Sequence, residues 1–241
     1  MTVHQKEILA IYDVFAEICR RHGLRYYMAY GTAIGVVRHR GFIPWDDDLD
    51  VAMPRPDYER FFRIAASELP AHLRLITWQK YHDMRYRFGK VQEIRREVVE
   101  AAERDSGHPL PQGVYIDVFP IDGYPETKLG EKVWNLARKV ILRLRPWVVE
   151  EFFMDILAKW IPYGRGGMTG IFACYFRIRH PVRLDVWGEP VEGEFEGRKV
   201  PLPRGYDEWL RQEFGDYMTP PPVDKRGSTH LWGEDVAWKF G

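Results

Sequence analysis

Apolar residues recur at helical spacing in three parts of the chain. The first pattern predicts a helix over 2–23 that ends at Gly23, a residue type that commonly closes helices. Its apolar positions, three or four residues apart, are Ile8, Ile11, Phe15 and Ile18. The second pattern predicts a helix over 56–69. The third predicts a helical region from 131 to about 160, which Pro146 divides because proline lacks the N–H that a helix interior needs.

Shorter apolar and aromatic segments predict the strands of a sheet. They cover residues 24–30, 73–78 and 85–91, and a hairpin with turn glycines follows at 187–203 before a last helix that ends near residue 217. The glycine-rich segment 164–170 lacks the Gly-Lys-Ser/Thr ending of a phosphate-binding P-loop, and it is interpreted as a flexible connection.

The most distinctive stretch is Pro44-Trp45-Asp46-Asp47-Asp48-Leu49-Asp50-Val51, in which four carboxylates fall within five positions. Alternation predicts the start of a strand, with Asp48 and Asp50 on one face. Two such carboxylates repel each other unless a cation lies between them, and Mg²⁺ binds one or two carboxylates together with substrate phosphates. A solvated acidic turn is the alternative. The apolar residues Leu49 and Val51 argue against it because they need burial.

A second candidate acid lies in the segment 113–123. Val114, Ile116 and Val118 form one face of the predicted strand, and Asp117 lies on the other face. A carboxylate within an apolar strand is costly unless it is paired or bound to a metal. Asp117 is therefore a candidate site residue, with an ion-paired core acid as the alternative. Asp122, directly before Gly123, is interpreted as a turn residue.

Candidate phosphate-binding groups lie between the first predicted strand and the acidic stretch. Gly31 and Thr32 form a turn at which backbone N–H groups can approach a phosphate closely. Arg38 offers a fork of donors that suits a diphosphate, and His39 is a second candidate beside it. A solvated turn is the alternative for both residues. Lys90, in the predicted strand 85–91, is either a binding residue or an exposed lysine of an edge strand.

Composition excludes several classes of protein. The chain has 241 residues, with 35 basic and 35 acidic side chains, so no overall positive charge attracts nucleic acid. The two cysteines, Cys19 and Cys174, form no disulfide framework, and no apolar stretch of spanning length occurs. The N-terminal residues lack a continuous apolar region, so we expect no signal peptide. The sequence predicts a cytoplasmic protein. The basic and aromatic residues of 131–165 leave peripheral contact with the inner face of the membrane as an alternative to packing within the fold.

These motifs resemble those of the LicD family, which is related to fukutin and the fukutin-related protein. The resemblance runs from Tyr30 to Tyr58 and is carried by Gly31-Thr32, Gly35, Arg38-His39, Gly41-Phe42-Ile43-Pro44-Trp45-Asp46-Asp47-Asp48-Leu49-Asp50, Met53-Pro54-Arg55 and Asp57-Tyr58. The segment around Asp117, the run Phe214-Gly215-Asp216-Tyr217-Met218 and the closing residues Arg226 and His230 also resemble the family. The least similar part is 131–183.

The resemblance implies an α+β fold, with a nucleotidyltransferase-like mixed sheet flanked by helices, and a single domain over 1–241 in which 131–183 is a helical insertion. It implies that Asp48, Asp50 and Asp117 are catalytic and hold Mg²⁺ or Mn²⁺. The residues implied to bind the donor are Gly31, Thr32, Arg38, His39, Lys90 and His230.

The activity that the resemblance implies is transfer of a phospho-alcohol, typically phosphocholine, from a CDP-activated donor to a hydroxyl of a cell-surface glycan or its lipid-linked precursor, such as lipopolysaccharide or teichoic acid. CMP is the product that leaves. Two alternatives use the same acids: a nucleotidyltransferase that releases pyrophosphate, and a non-catalytic protein that binds a cation or nucleotide.

Overall fold

The structure, a computed structural model, describes residues 1–77, 79–81, 88–95, 113–141, 143, 147–171 and 180–226. Within these residues, six α-helices accompany a mixed sheet and a separate hairpin, which confirms the predicted α+β class. None of the helices in this part of the chain is both long and apolar enough to cross a bilayer.

Five of the described helices lie in or near predicted helical segments, whereas the helix over Tyr30–His39 was predicted only as a turn at Gly31 and Thr32. The helices are α1 Val3–His22, α2 Tyr30–His39, α3 Arg55–Glu68, α4 Lys128–Ile141, α5 Trp147–Lys159 and α6 Tyr206–Phe214, with short 3₁₀ turns at Leu184–Trp187 and Val223–Lys225. The side chains of Thr2 and Gln5 cap α1 reciprocally, and Gly23 ends it in the left-handed conformation at φ 60°.

The main sheet contains β1 Tyr27–Met28, β2 Asp50–Pro54, β3 Leu73–Ile76, β4 Gly89–Glu93, β5 Tyr115–Tyr124, β6 Met168–Ile171 and β7 Val182–Arg183. The strand order is β1-β2-β5-β4-β3, and β6 pairs with the far end of β5 and with β7. β2 and β5 run parallel, and the other pairs of this sheet are antiparallel. The hairpin consists of β8 Val191–Phe195 and β9 Arg198–Leu202.

Three further segments differ from the prediction. The strand predicted to begin at Asp48 begins at Asp50. The predicted strand over 24–30 is only two residues long, because the chain leaves the left-handed Gly23 and already enters α2 at Tyr30. The predicted flexible connection over 164–170 is wrong in its last part, since β6 begins at Met168 and pairs with both β5 and β7. Residues 78 and 85–87 of two other predicted strands lie outside the described residues.

The buried apolar residues form two clusters. The larger one joins α1, α2, α3 and the main sheet, and it includes the fully buried Phe15, Phe61 and Leu49. The smaller one lies between the end of β5 and the pair α4–α5, and it contains Tyr124, Trp134, Met154, Leu157 and Ala158. This separate cluster gives α4 and α5 a packing site of their own. Whether 1–241 is one domain with 131–183 as an insertion stays a prediction.

Candidate active site

Three predicted site residues lie side by side on adjacent strands. In the parallel pair β2–β5, Asp50 is opposite Asp117, and in the antiparallel pair β4–β5, Lys90 is opposite the same Asp117. Directly opposite residues have Cβ atoms about 5 Å apart and project to the same face of a sheet. The fold therefore brings together three residues that are distant in the sequence.

Lys90 lies within the sheet rather than at its edge. Its strand, β4, is bordered by β3 and β5, and its side chain is 4% exposed. The Lys90 ammonium nitrogen is 3.3 Å from the Asp117 Oδ1 atom and 3.6 Å from the centroid of the Tyr115 ring. The alternative of an exposed edge lysine is wrong. A cation buried beside Asp117 offsets part of the negative charge of this site.

Asp46 joins the predicted acids, a role that the sequence interpretation had not given it. Burial is the largest cause that raises the pKa of Asp46 to about 9, and the charge of Asp48 and a hydrogen bond to it raise the pKa further. Burial also raises the pKa of Asp50 well above its usual value, followed by the charges of Asp48, Asp117 and Asp46, while Lys90 opposes this shift. The four carboxylates, of Asp46, Asp48, Asp50 and Asp117, thus form one electrostatically coupled group. They repel one another unless protons or cations neutralise their charge.

This donor set fits a hard divalent cation. It offers only carboxylate oxygens, the ligands that Mg²⁺ and Mn²⁺ prefer. Among the residues that the structure describes, no three histidine, cysteine or acidic side chains already surround a common point as metal ligands. A magnesium site for nucleotide donors needs only one or two carboxylates, because substrate phosphates and water complete the shell. Asp48 and Asp50 could supply those carboxylates, with Asp117 on the neighbouring strand.

The N-terminus of α1 holds the acidic stretch in place. The His4 ring nitrogen Nε2 is 3.0 Å from the Asp47 carbonyl oxygen, and the Gln5 side-chain amide donates to the Asp46 carbonyl over 3.1 Å. Both polar side chains are buried. These contacts satisfy carbonyl groups that lie before β2 begins, and buried polar groups of this kind need such partners. His4 and Gln5 are positioning residues, and they fix the backbone that carries the acids.

Gly31 and Thr32 lie in the first turn of α2, close to the same acids. The Thr32 hydroxyl accepts a 2.8 Å hydrogen bond from the backbone N–H of Asp50. The buried Thr32 therefore joins α2 to the first residue of β2. At Gly31, a Cβ atom would lie 2.8 Å from the Asp46 Oδ2 atom, so any side chain there would require the Asp46 carboxylate to move. The first turn of a ten-residue helix offers unpaired N–H groups that attract anions.

Arg38 and His39 lie at the other end of α2, near Trp45 and Arg226. The Arg38 guanidinium donates to the Tyr217 carbonyl oxygen and, over 3.4 Å, to His39 Nδ1. Burial lowers the pKa of Arg38, and the charge of Arg226 lowers it further, while Asp46 opposes the shift. The Arg226 guanidinium carbon lies 4.8 Å from the centroid of the Trp45 ring. Two arginines, far apart in the sequence, thus lie near each other beside the acidic group.

Two further residues of the sequence analysis are His230, a predicted donor-binding residue, and Asp122, a predicted turn residue. His230 lies outside the described residues, and its role stays a prediction. The interpretation of Asp122 as a turn residue is wrong, because Asp122 lies within β5 and is buried. Its carboxylate accepts two hydrogen bonds of 2.6 Å from the Arg55 guanidinium. Arg55 begins α3, directly after β2, so this pair joins α3 to β5.

Residues 23–136 match the nucleotidyltransferase domain described as LicD/FKTN/FKRP. This match covers both strands that carry the candidate acids, β2 and β5, as well as Lys90. Over this segment the chain is therefore similar to the LicD family.

Similarity to one curated relative extends over nearly the whole chain. The lipopolysaccharide cholinephosphotransferase LicD of Haemophilus influenzae is 27% identical over 266 aligned positions, which cover 96% of this chain and 97% of that protein. An uncharacterized protein of Rickettsia typhi is 34% identical over 65 residues, 26% of this chain and 21% of its own length. An uncharacterized protein of Rickettsia prowazekii is 36% identical over 55 residues, 22% of this chain and 21% of its own length.

Proposed function

We propose that the protein is a metal-dependent phosphotransferase that moves a phospho-alcohol, most simply phosphocholine, from a CDP-activated donor to a hydroxyl of a cell-surface glycan or its precursor. The observation that carries the proposal is the row Asp50, Asp117 and Lys90 across three adjacent strands, beside Asp48. The Haemophilus influenzae relative is named for cholinephosphate transfer to lipopolysaccharide, which supports the choice of alcohol and of acceptor.

The chain supplies two kinds of group for this reaction. Asp48 and Asp50 would hold Mg²⁺ or Mn²⁺, and Asp117 would either ligate a second ion or accept the proton of the acceptor hydroxyl. When bound, the ion neutralises charge on the donor diphosphate and helps to align it. Arg38, which is electrostatically coupled to Asp46, and the nearby Arg226 would bind the outer oxygens of the diphosphate. The first-turn N–H groups of α2, at Gly31 and Thr32, offer further donors.

Lys90 and Asp117 act as a unit in this scheme. The Lys90 ammonium group, 3.3 Å from Asp117, helps to keep that carboxylate negatively charged. An ionised Asp117 can accept the proton of the acceptor hydroxyl as that oxygen attacks the distal phosphorus of the donor. The bond from phosphorus to the bridging oxygen breaks as the new phosphodiester forms, and CMP leaves. Most of the rate enhancement then comes from positioning and charge neutralisation.

The test is product analysis with defined donors. Purified protein is mixed with CDP-choline, CDP-ribitol or CDP-glycerol, an acceptor glycan and Mg²⁺ or Mn²⁺, and nucleotide products are separated by chromatography. We expect CMP to form with one of these donors and to disappear with EDTA. Release of pyrophosphate from CTP, with the nucleotide retained on the acceptor, would instead identify a nucleotidyltransferase. Binding of CDP-choline without any turnover would identify a non-catalytic protein.

A further inference from the structure

Apolar side chains are unusually exposed on α4 and α5. Leu129 and Leu136 of α4 are 73% and 63% exposed, and Phe152 of α5 and Trp160 directly after it are 61% and 57% exposed. The other exposed members of this set, which we call the apolar face, are Val133, Val140, Val149, Phe153 and Ile156. Single exposed apolar residues are ordinary, but a contiguous group of them marks an interaction surface.

On α4, the apolar face forms a continuous stripe. Leu129, Val133, Leu136 and Val140 follow one another at intervals of three or four residues, so they share one side of the helix. Trp134 lies on the adjoining side and is buried against Met154 and Leu157 of α5. The fold therefore covers one apolar side of α4 and leaves the second one open.

The stripes of the two helices meet at one end. A concavity of about 420 Å³ is lined by Leu129, Val133 and Trp134 of α4 together with Trp160 and Ile161 that follow α5. Because one hollow is formed by both segments, the start of α4 and the end of α5 present their exposed apolar side chains to the same surroundings. The apolar face is thus one surface rather than two separate patches.

A row of lysines lies beside the stripe on α4. Lys128, Lys132 and Lys139 are all exposed, and at 100° per residue they project about 60–100° around the helix from the stripe. They lie on the side opposite the buried Trp134. Lysine stems of this kind extend along an apolar surface while their ammonium groups reach an anionic layer. The exposed Arg143 continues the positive charge beyond the helix.

We propose that the apolar face and its lysine row dock on the surface of a bilayer that contains anionic phospholipid, with the helices lying at the interface. The apolar stripe would enter the boundary between headgroups and acyl chains, and the lysines would contact lipid phosphates. A contact between two copies through this face would bring lysine rows of like charge together, so lipid phosphates complement the face better. This inference does not depend on the proposed reaction.

The direct test is flotation of the full-length protein with vesicles, without any substrate. One set contains phosphatidylcholine alone, and the other contains about one-third phosphatidylglycerol. We expect the protein to float with the anionic vesicles, and to do so less at high salt. Leu136→Glu with Phe152→Glu should lower the partition coefficient at least about tenfold, because two apolar contacts are lost. A triple variant with Lys128→Glu, Lys132→Glu and Lys139→Glu should lower the partition coefficient on the order of 100-fold.

Matched controls are available elsewhere on the surface. Val3→Glu and Lys6→Glu replace an exposed apolar residue and an exposed lysine at the start of α1, and they should leave flotation unchanged. All the substituted side chains are exposed, so thermal unfolding of the variants should match the wild type.

Two results would overturn the proposal. One is a failure of the flotation test: the wild-type protein does not float with anionic vesicles, or the variants of the apolar face and the lysine row float as well as the wild type. The other is a dimer in sedimentation velocity that Leu136→Glu converts to a monomer without any vesicle binding, since a second copy would then cover the face.

Discussion

In the metal-free protein, repulsion among the coupled acids should lower the free energy of unfolding. Asp46→Asn is the most direct test, because it removes one of these acids. Burial and the nearby Asp48 raise the pKa of Asp46 to about 9, whereas an aspartate in the unfolded chain has a pKa of about 3.9. Between these two values the folded state holds a proton that the unfolded state has released. The stability contributed by this group is therefore highest at low pH and falls as the pH rises toward about 9.

The magnitude follows from the size of that interval. Each pH unit between the two pKa values costs about 1.4 kcal/mol, and about three units lie below pH 7, so the cost there approaches about 4 kcal/mol. Asparagine carries no charge and avoids this cost. In the absence of metal, Asp46→Asn should raise the free energy of unfolding at about pH 7 by between about 1 and 4 kcal/mol. The lower figure allows for the altered hydrogen bond to Asp48.

The assay is urea unfolding in excess EDTA at about pH 5, 7 and 8.5, with linear extrapolation to water. The advantage of Asp46→Asn over the wild type should grow with pH, and Mg²⁺ should reduce it by stabilising the ionised acids of the wild type. Asp224→Asn, at an exposed acid, is the control and should show no such trend. A wild type that is equally stable across this range, or an Asp46→Asn variant less stable at pH 7, would refute the reasoning.

Four further predictions concern activity, measured as CMP release. Asp48→Asn and Asp50→Asn should each lower turnover by at least about 10³-fold without loss of folding, and activity within a few-fold of wild type would contradict the metal assignment. Asp117→Asn should keep donor affinity, measured by calorimetry, yet lose transfer to the acceptor. Arg38→Ala should mainly raise KM for the donor. An unchanged KM would indicate that Arg38 lies in a solvated turn and does not bind the donor. Lys90→Met should move the acid limb of the pH–rate profile to higher pH, because Lys90 lowers the pKa of Asp50.

The parts of the site that local patterns encode could be predicted from the sequence. Alternation around Leu49 and Val51 predicts that Asp48 and Asp50 share a strand face, although β2 itself begins only at Asp50. The apolar neighbours of Asp117 correctly indicate a buried strand. The meeting of Asp50 and Asp117 could not be derived from spacing. It depends on the parallel register of β2 and β5, and no local pattern specifies which strands pair. Resemblance to a family supplied that link.

The residues that were missed were those whose surroundings come from elsewhere in the chain. Asp46 lies before β2, outside the strand pattern, and it is buried close to Gly31 of α2 and Asp48. His4 and Gln5 resemble the solvated start of a helix, and only the position of α1 against the acidic stretch makes them buried partners of its carbonyl groups. Asp122 was taken for a turn residue because glycine follows it, but Arg55 supplies the partner that allows its burial within β5.

The strand β5 connects the candidate active site to the proposed membrane-facing surface. Asp117 lies near its start, and Tyr124, at its end, packs against Trp134 of α4 with ring centroids 5.6 Å apart. Seven residues of extended strand separate Asp117 from Tyr124, a distance of roughly 23 Å. Between them, the Arg55–Asp122 pair ties the strand to α3, so the two ends belong to one rigid element. Asp117 and the support of the apolar face thus lie at opposite ends of one strand, so a protein docked through α4 and α5 would hold its acidic group at a fixed position relative to the bilayer.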